Sequence, residues 1–531
     1  MMGKKIGFGT HILGELLGIF VVILGLLLED GDLYTVLFWL AHDMVILGLT
    51  LRDYNVLIFM SSFILSTLMI LISQRLNNNI LAEKFVFLSS FFVGVFLGYI
   101  LIYIVLDVGF FQGALVTIPF VLGSGLLLFS ISQRVFETSE KRFFLYKIKN
   151  LKSIFYLIIV GFLILPNFAS MSGMLPEPPT ISSNGFGGNN RPYDVNVMNL
   201  NINTSEFIIE NMTDESKSFD WNVYIYTPNP VPENMPLAIF LHGYEGEGVD
   251  VYIDTLETLA SRGTAVIFPQ YASNYDVSRY DVNMLNYTKG GSNHPQHEWR
   301  YTMAWEGVLL GIDYLNKNFK GYNSSNLWIG GHSLGAGTSL YIVDKAIDNG
   351  WGSNSLIINL EAPWVYSSYA PFNADLSRLP DHTIVNVVEY EDDIVVARCI
   401  GVWGFERLKT KDNTGELADS QVSYLKVYSD RRGFPKLISS HYIQASMIRD
   451  SLADYAYYKR IDAQAAYLVG IASDDLELME LAEPYFKGSS ESVKSMGLWS
   501  DGMPVKKIEV YTDPIDIDLY NCVSNPNSND G

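Results

Sequence analysis

A serine flanked by glycines constrains this chain more than any other feature. The motif G-H-S-L-G at 331–335 follows a short apolar run at 325–330 and precedes a segment with helical character. A strand, a sharp turn and a helix in this order push a serine hydroxyl out of the top of a sheet. The glycines are required because a side chain at either position would collide with the neighbouring strand or helix. The sequence therefore predicts that Ser333 is a catalytic nucleophile.

Two acidic residues follow a later predicted strand. The apolar run at 381–390 predicts that strand, and Asp392 and Asp393 come shortly after it. A carboxylate just past a strand end can accept the Nδ1 hydrogen of an imidazole and fix its tautomer. The spacing to the following valines favours Asp393 as the acid, and Asp392 remains the alternative.

The general base is sought among only eight histidines. His441 lies in a loop downstream of the acid, which is where the chain order serine, acid, histidine places the base. His382 precedes the acid, so its order is wrong. His332 lies beside Ser333 and is predicted to pack or to shape the pocket. The sequence therefore favours His441 as the base.

An oxyanion hole requires two backbone N–H donors. One is expected from Leu334, the residue after the nucleophile. The other is expected from the loop that follows the apolar strand 237–241, where His242, Gly243 and Tyr244 stand. We predict Tyr244 as this second donor.

Taken together, residues 221–468 resemble the α/β-hydrolase superfamily, and within it the esterase, lipase and dienelactone-hydrolase-like branch. The block 237–270 and the serine motif carry this resemblance. It implies a doubly wound, mostly parallel sheet and hydrolysis of acyl esters by Ser333, His441 and Asp393. The sequence departs from the family pattern at Tyr390, where a glycine is usual, and no proline follows Val396. This departure leaves the choice between the two acids open.

No cofactor and no metal ion are predicted. The chain lacks a zinc-protease motif of the H-E-x-x-H type, and its two cysteines, Cys399 and Cys522, are too few and too far apart for a zinc site. The mechanism that the family resemblance implies needs neither group. The two cysteines could instead pair with each other outside the cell.

The first third of the chain is unlike the rest because it consists of long apolar runs. Each run is close to the roughly 20 residues that a bilayer core requires. They predict an α-helical transmembrane bundle of five or six helices within residues 1–170. The candidate helices cover 10–28, 33–51, 55–73, 85–106, 110–131 and 153–169.

The orientation of this bundle follows from its basic loops. With six helices, eight Lys and Arg residues fall on one side and three on the other. Basic loops favour the cytoplasm. We therefore expect an integral protein of the cell membrane whose following domain is extracytoplasmic.

Composition divides the remainder into three parts. A flexible linker rich in Pro, Gly and Asn is predicted at 171–195, the α/β domain at 196–470, and an extension at 471–531 with an edge strand and a disordered end. Residues 1–170 carry a net charge of +1, so the rest carries −22 of the total −21. So acidic a region disfavours binding to nucleic acid.

Two polar pairs interrupt the apolar runs. His11 and Glu15 lie four residues apart in the first predicted helix, and His42 and Asp43 lie within the second. Ionisable groups at membrane depth are candidates for function. They predict either a small polar site between the helices or groups at the ends of a half-crossing.

These observations favour a membrane-anchored serine hydrolase that cleaves acyl esters at the outer face. Its expected partners are a small-molecule or lipid ester and the lipid bilayer. A peptidase or an acyltransferase could use the same three residues. A binding or receptor module and a transporter formed by the helical bundle are the alternatives of another class. The sequence does not determine the oligomeric state.

Overall fold

The chain forms two compact units, Met1–Glu177 with Gly433–Pro435, and Pro178–Arg432 with Lys436–Gly531. Their described residues come from a computed structural model. It describes residues 8–27, 64–66, 68–72, 79–108, 121–122, 124–129, 131, 175–212, 214–244, 246–273, 298–364, 374–393, 395–396, 398–433 and 435–514.

The first unit contains two long helices, α1 (Phe8–Leu27) and α2 (Asn79–Val108). Their backbones touch, since a Cβ added to Gly94 would lie 2.6 Å from Glu15 Cα. His11 of α1 is buried at this contact, with its Nδ1 2.7 Å from Ser90 Oγ of α2. Glu15 of α1 is also buried, and its Oε2 accepts the hydroxyl of Ser124, a residue outside both helices, over 3.0 Å.

Many apolar side chains of this unit are exposed. Those that are exposed on α1 and α2 are Leu13, Leu16, Leu17, Phe20, Val21, Ile80, Leu81 and Leu88. Other apolar side chains, among them Ile19, Val86, Val93 and Leu97, are buried together with the polar groups of His11 and Glu15.

Membrane crossing was predicted for six segments, and the described residues do not support it. No helix in the described ranges combines the length and the apolar character needed to cross a membrane. The predicted segments 33–51 and 153–169, with His42 and Asp43, lie outside the described residues, as does most of 55–73 and of 110–131.

The second unit is built on one nine-stranded sheet. Its strands are β1 (Asp194–Asn201), β2 (Asn222–Asn229), β3 (Met235–Leu241), β4 (Ala265–Pro269), β5 (Tyr322–His332), β6 (Ser355–Glu361), β7 (Ile384–Tyr390), β8 (Val422–Val427) and β9 (Glu509–Tyr511). The spatial order is β1-β2-β4-β3-β5-β6-β7-β8-β9. Strands β3 to β8 are parallel to one another, whereas β1, β2 and β9 pair antiparallel with their neighbours.

The described helices of this unit lie before, between and after the parallel strands. They are α3 (Glu206–Asn211), α4 (Asp214–Lys217), α5 (Ile253–Arg262), α6 (Glu298–Asn318), α7 (Leu334–Asp348), α8 (Arg398–Lys409), α9 (Ser451–Ala453), α10 (Lys459–Ser473), α11 (Leu476–Ala482) and α12 (Glu491–Lys494). A π-helical turn, Asp454–Tyr458, joins α9 to α10. Short 3-10 turns cover Val249–Tyr252, Leu376–Arg378, Ser446–Ile448 and Glu483–Tyr485.

Both faces of the sheet are covered, because alternate residues of each strand point to opposite sides. In β3, Leu237, Ile239 and Leu241 belong to the core beneath α6, α7 and α8, whereas Ala238 and Phe240 belong to the core beneath α5 and α10. Every residue of β3 is buried, as is typical of a central parallel strand. The prediction of a doubly wound, mostly parallel sheet is confirmed, and this architecture fits the α/β-hydrolase fold.

Part of the segment for which we predicted a flexible linker is fixed in the second unit. The N–H of Gly187 donates to Asp462 Oδ2 over 2.9 Å, and Arg449 donates to the Gly187 carbonyl over 3.2 Å. Near its start, Ser451 donates to the carbonyl of Pro179. Asp462, Arg449 and Ser451 of the domain thus hold this segment in place, in addition to hydrogen bonds within it such as that from the Gly188 N–H to the Gly185 carbonyl.

The C-terminal extension also joins the main core. Phe486 and Trp499 are buried in the cluster that α10 completes. β9 pairs with β8 at the edge of the sheet, where an edge strand was predicted. The predicted disordered end, Ser524–Gly531, lies outside the described residues.

A buried polar network lies between the sheet and α10. Glu361, the last residue of β6, forms an ion pair with Arg460, and their side chains are 0% and 3% exposed. Asn359 donates to Glu361 Oε1 over 2.7 Å, and the Tyr390 hydroxyl donates to Oε2. Gln444 in turn donates to that hydroxyl over 2.8 Å. Burial, and then the charge of Glu361, raise the pKa of Tyr390 well above its usual range, so its hydroxyl remains a donor.

We expect Arg460→Met to lower the free energy of unfolding by about 3–5 kcal/mol, because it leaves the Glu361 carboxylate buried without its counter-charge. The double variant with Glu361→Gln should recover part of this loss. Lys317→Met is the control, since it removes an exposed ion pair with Asp313, worth about 0–1 kcal/mol. Denaturant unfolding of the full chain measures all three. An Arg460→Met loss no larger than that of the control would contradict the expectation.

Candidate active site

Ser333 stands in a strained turn between β5 and α7, here called the elbow (residues 331–335). Its backbone has φ 56° and ψ −119°, a conformation that L-residues rarely adopt. The close packing comes from both glycines: a Cβ on Gly331 would lie 2.6 Å from the Leu241 carbonyl oxygen, and one on Gly335 would overlap the same oxygen. The collision predicted from the sequence is therefore with the end of β3 and, for Gly331, also with the start of α7.

Two backbone hydrogen bonds fix the elbow to the neighbouring strand. The N–H of Ser333 donates to the carbonyl of Glu361 over 2.9 Å, and the N–H of Trp364 donates to the carbonyl of Ser333 over 3.0 Å. These bonds hold the backbone of Ser333 in its strained conformation. Such strain persists only where the surrounding structure imposes it.

The structure brings His441 to Asp393. Their Nδ1 and Oδ2 atoms are 2.7 Å apart, and the two side chains are 4% and 6% exposed. The other carboxylate oxygen, Oδ1, accepts the N–H groups of Val395 and Val396 over 2.8 and 2.9 Å. Asp393 is thus an acceptor at both oxygens, and Nδ1 of His441 carries the hydrogen that it donates.

Asp392, the alternative acid, faces elsewhere. Its Oδ2 accepts Arg431 over 2.7 Å and also accepts the hydroxyl of Ser429. Its N–H donates to the carbonyl of Ser439. Asp392 therefore holds the turn at 391–393, here called the acid turn, to the loop that carries His441. It does not contact the imidazole.

Ser333 and His441 lie in adjoining parts of the site without a hydrogen bond between their side chains. The rings of His441 and of His332, the residue before the serine, have centroids 4.5 Å apart. Both Ser333 and His441 are about 5% exposed or less. In substrate-free enzymes the bond between nucleophile and base often forms only when substrate binds.

Of the residues predicted for the oxyanion hole, Leu334 belongs to the elbow and Tyr244 lies in the loop beside it. A Cβ added to Gly243 would lie 3.4 Å from Ser333 Cβ, so the loop His242–Tyr244, here called the oxyanion loop, touches the serine. Tyr244 is half-buried against the core. Leu334 is the first residue of α7, where N–H groups have no partner within the helix.

His242 fixes the orientation of this loop. Its Nε2 accepts the N–H of Tyr271 over 3.1 Å, so in the neutral ring Nδ1 is the donor to the Gly243 carbonyl, 2.8 Å away. Because the peptide is planar and trans, a fixed Gly243 carbonyl also fixes the N–H of Tyr244 in the opposite direction. Burial lowers the pKa of His242, which keeps the ring neutral.

Sequence reasoning missed three residues that organise the site, two through their side chains and one, Glu361, through its backbone carbonyl. The Tyr252 hydroxyl contacts His332 and the oxyanion loop, and Tyr271 stacks on His242 with ring centroids 3.9 Å apart. Glu361 supports the elbow from the end of β6. Tyr252 carries no motif, and the sequence assigned no role to Tyr271, although Tyr271 stands at the end of the block that resembles the family. Glu361 is a charged residue that ends an apolar run, and this is a signal that could have found it.

The described residues show no group of three or more His, Cys, Asp or Glu side chains that could hold a metal ion. The side chain of Cys399 and all of Cys522 lie outside the described atoms, so their predicted pairing stays a prediction.

Comparison with known proteins gives only distant similarity. No family model and no curated protein matches the sequence. The chain is similar in structure to one of two fungal esterases from Rhizomucor miehei, with a TM-score of 0.34 and 14% identity, covering 54% of this chain and 85% of that one. It is also similar to a thermostable esterase from Pseudomonas putida, with a TM-score of 0.32 and 12% identity over 60% of this chain and 90% of that one. Similarity at this level does not decide the function.

His242 should make folding stability depend on pH. Since its folded pKa lies below the ordinary value of about 6.5, the unfolded chain takes up a proton that the folded chain cannot. The folding stability contributed by the neutral imidazole is fully present above that ordinary pKa. It is lost as the pH falls below it, at a rate that approaches about 1.4 kcal/mol per pH unit. Denaturant unfolding of the wild type and of His242→Gln between pH 7.5 and 5.5 measures this. The stability advantage of the wild type should shrink on acidification, and a constant difference would contradict the expectation.

Proposed function

We propose that the second unit is a serine hydrolase that cleaves carboxylic esters, with Ser333 as nucleophile, His441 as base and Asp393 as the orienting acid. The observation that carries the proposal is the strained backbone of Ser333 beside a buried imidazole–carboxylate pair. Strain of this kind costs about 1–3 kcal/mol and persists mainly at functional sites. A turn with no chemical role would relieve it by placing glycine at this position.

In the proposed reaction, His441 Nε2 removes the Ser333 proton as Oγ attacks the acyl carbon. Asp393 accepts the Nδ1 hydrogen of His441 and stabilises the imidazolium that forms. The imidazolium then protonates the leaving alcohol as the ester bond breaks. Water cleaves the acyl-enzyme by the same sequence of proton transfers, releasing the carboxylic acid.

The N–H groups of Leu334 and Tyr244 are the proposed oxyanion donors. Support for Leu334 comes from its place at the start of α7, and support for Tyr244 from the contact of the oxyanion loop with Ser333. Each such donor typically contributes about 3–4 kcal/mol to transition-state stabilisation. Because both are backbone groups, side-chain substitution at either residue does not remove the donor.

We further propose that the first unit attaches the chain to a lipid bilayer, with the hydrolase at the outer face. The exposed apolar side chains of α1 and α2 and the buried polar contacts of His11 and Glu15 support lipid contact, because polar groups in lipid face the protein interior. The asymmetry of basic residues in 1–170 supports the orientation. A lipid ester or a small ester would then reach the site from outside.

Labelling of the full chain by a fluorophosphonate probe tests the catalytic proposal. We expect covalent labelling of the wild type and none of Ser333→Ala, because only an activated serine attacks such a probe. Asp393→Asn should reduce ester turnover by about 10⁴-fold. Asp392→Asn should cost far less, because the N–H that donates to Ser439 is kept and only the contacts with Arg431 and Ser429 weaken. A panel of esters, amides and acyl acceptors separates the esterase from a peptidase or an acyltransferase. A folded wild-type protein that does not label would contradict the proposal, as would labelling that survives Ser333→Ala.

Extraction of membranes tests the lipid proposal. We expect the full chain to stay with membranes at alkaline pH and to be released by detergent. Leu13→Glu, at a side chain 61% exposed on α1, should increase alkaline release, because it places a charge where lipid is expected. Leu476→Glu is the matched control, at a leucine 68% exposed in the second unit, and should change nothing. Full release of the wild type at alkaline pH would contradict lipid attachment.

A further inference from the structure

Three buried hydrogen bonds join the oxyanion loop to the loop that carries His441. The N–H of Gly243 donates to the Tyr252 hydroxyl over 3.0 Å. That hydroxyl lies 2.9 Å from His332 Nδ1, and His332 Nε2 lies 2.7 Å from the carbonyl oxygen of His441. Tyr252, His332 and His441 are each 5% exposed or less.

We infer that Tyr252 and His332 form a relay that aligns the oxyanion donor and the base for the transition state. They are positioning residues, because they act through the backbone groups that they hold. The inference rests on the proposed function.

The direction of each hydrogen bond follows from the chemistry of its partners. The His441 carbonyl can only accept, so Nε2 of His332 carries the ring hydrogen. In the neutral ring Nδ1 then accepts, and the Tyr252 hydroxyl must donate to it. The tyrosine oxygen is left to accept the N–H of Gly243. Burial raises the pKa of Tyr252 well above its usual range, so the hydroxyl keeps its hydrogen.

Each end of the relay fixes a backbone group that the proposed reaction requires. At one end, the N–H of Gly243 is held by Tyr252 while its carbonyl is held by His242, so the following N–H, that of Tyr244, has a defined direction. At the other end, the His441 backbone is held by His332 while its ring is held by Asp393. The base thus has two independent anchors.

The relay also passes beside the nucleophile. An added Cβ on Gly243 would lie 3.1 Å from both His332 Nδ1 and the Tyr252 hydroxyl, and 3.4 Å from Ser333 Cβ. The relay therefore fixes the relative positions of the oxyanion donor, the base and the nucleophile, although they come from elements that are distant in the chain. Displacement of such groups by about 1 Å can cost roughly 100-fold in rate.

Tyr252→Phe tests the relay because it removes only the hydroxyl. We expect kcat for a p-nitrophenyl ester to fall about 10- to 100-fold, with KM within about twofold. Affinity for a trifluoromethyl ketone, which forms an oxyanion on Ser333, should fall in parallel with kcat. Tyr457→Phe is the matched control: it removes a buried hydroxyl that donates to Thr255 over 3.1 Å, outside the relay.

His332→Gln gives a second, independent variant in case Tyr252→Phe does not fold. An amide nitrogen can still donate to the His441 carbonyl, whereas the ring Nδ1 acceptor is lost. We expect a smaller loss of kcat than in His332→Ala, and the double variant with Tyr252→Phe should be little worse than the worse single one, because both break the same bond.

The relay is overturned if Tyr252→Phe matches Tyr457→Phe in kcat and inhibitor affinity while the wild type labels at Ser333. It is also overturned if both relay variants lose kcat only in proportion to lost folded protein. A wild type that neither labels nor turns over ester overturns the proposed function, and this role of the relay with it. The two failures are therefore distinguishable.

Discussion

The arrangement of the second unit depends on the buried ion pair between Glu361 and Arg460. Glu361 acts twice, because its backbone carbonyl accepts the N–H of Ser333 and its carboxylate accepts Arg460 and Tyr390. These contacts join the ends of β6 and β7 to α10 and to the elbow. A buried ion pair adds little net stability compared with well-packed apolar groups, because both charges lose their hydration. We interpret its role as fixing one relative position of the elbow and the acid turn.

The sequence predicted the parts of this site that depend on local pattern. Apolar runs located β3, β5 and β7, and the two glycines of the elbow identified the turn around Ser333. The acid could be narrowed to Asp392 or Asp393 but not decided by pattern, since both follow the same strand. What separates them is a tertiary contact: the Arg431 side chain and the Ser429 hydroxyl occupy the carboxylate of Asp392.

The remaining parts of the site could not be predicted, because they join residues far apart in the chain. Tyr252 and His332 are 80 residues apart, and Glu361 and Arg460 are 99 apart. The pattern of apolar residues along the chain indicates neither pair. The predicted linker is a further example. Its Pro- and Gly-rich composition indicates flexibility, and composition does not reveal that Asp462 and Arg449, far along the chain, are its partners. In the first unit, hydropathy located α1 and α2, and the polar pair in α1 indicated a polar site between helices without identifying Ser90 as the partner of His11.

The backbone strain at Ser333 has a consequence for how this chain can change over generations. A descendant with no use for the hydroxyl would gain stability from glycine at this position, because glycine adopts positive φ without steric conflict. Where the proposed reaction is no longer selected, stability therefore favours replacement of the serine by glycine. Among related chains, the residue at this one backbone position would distinguish lineages that kept the reaction from those that retain only the scaffold.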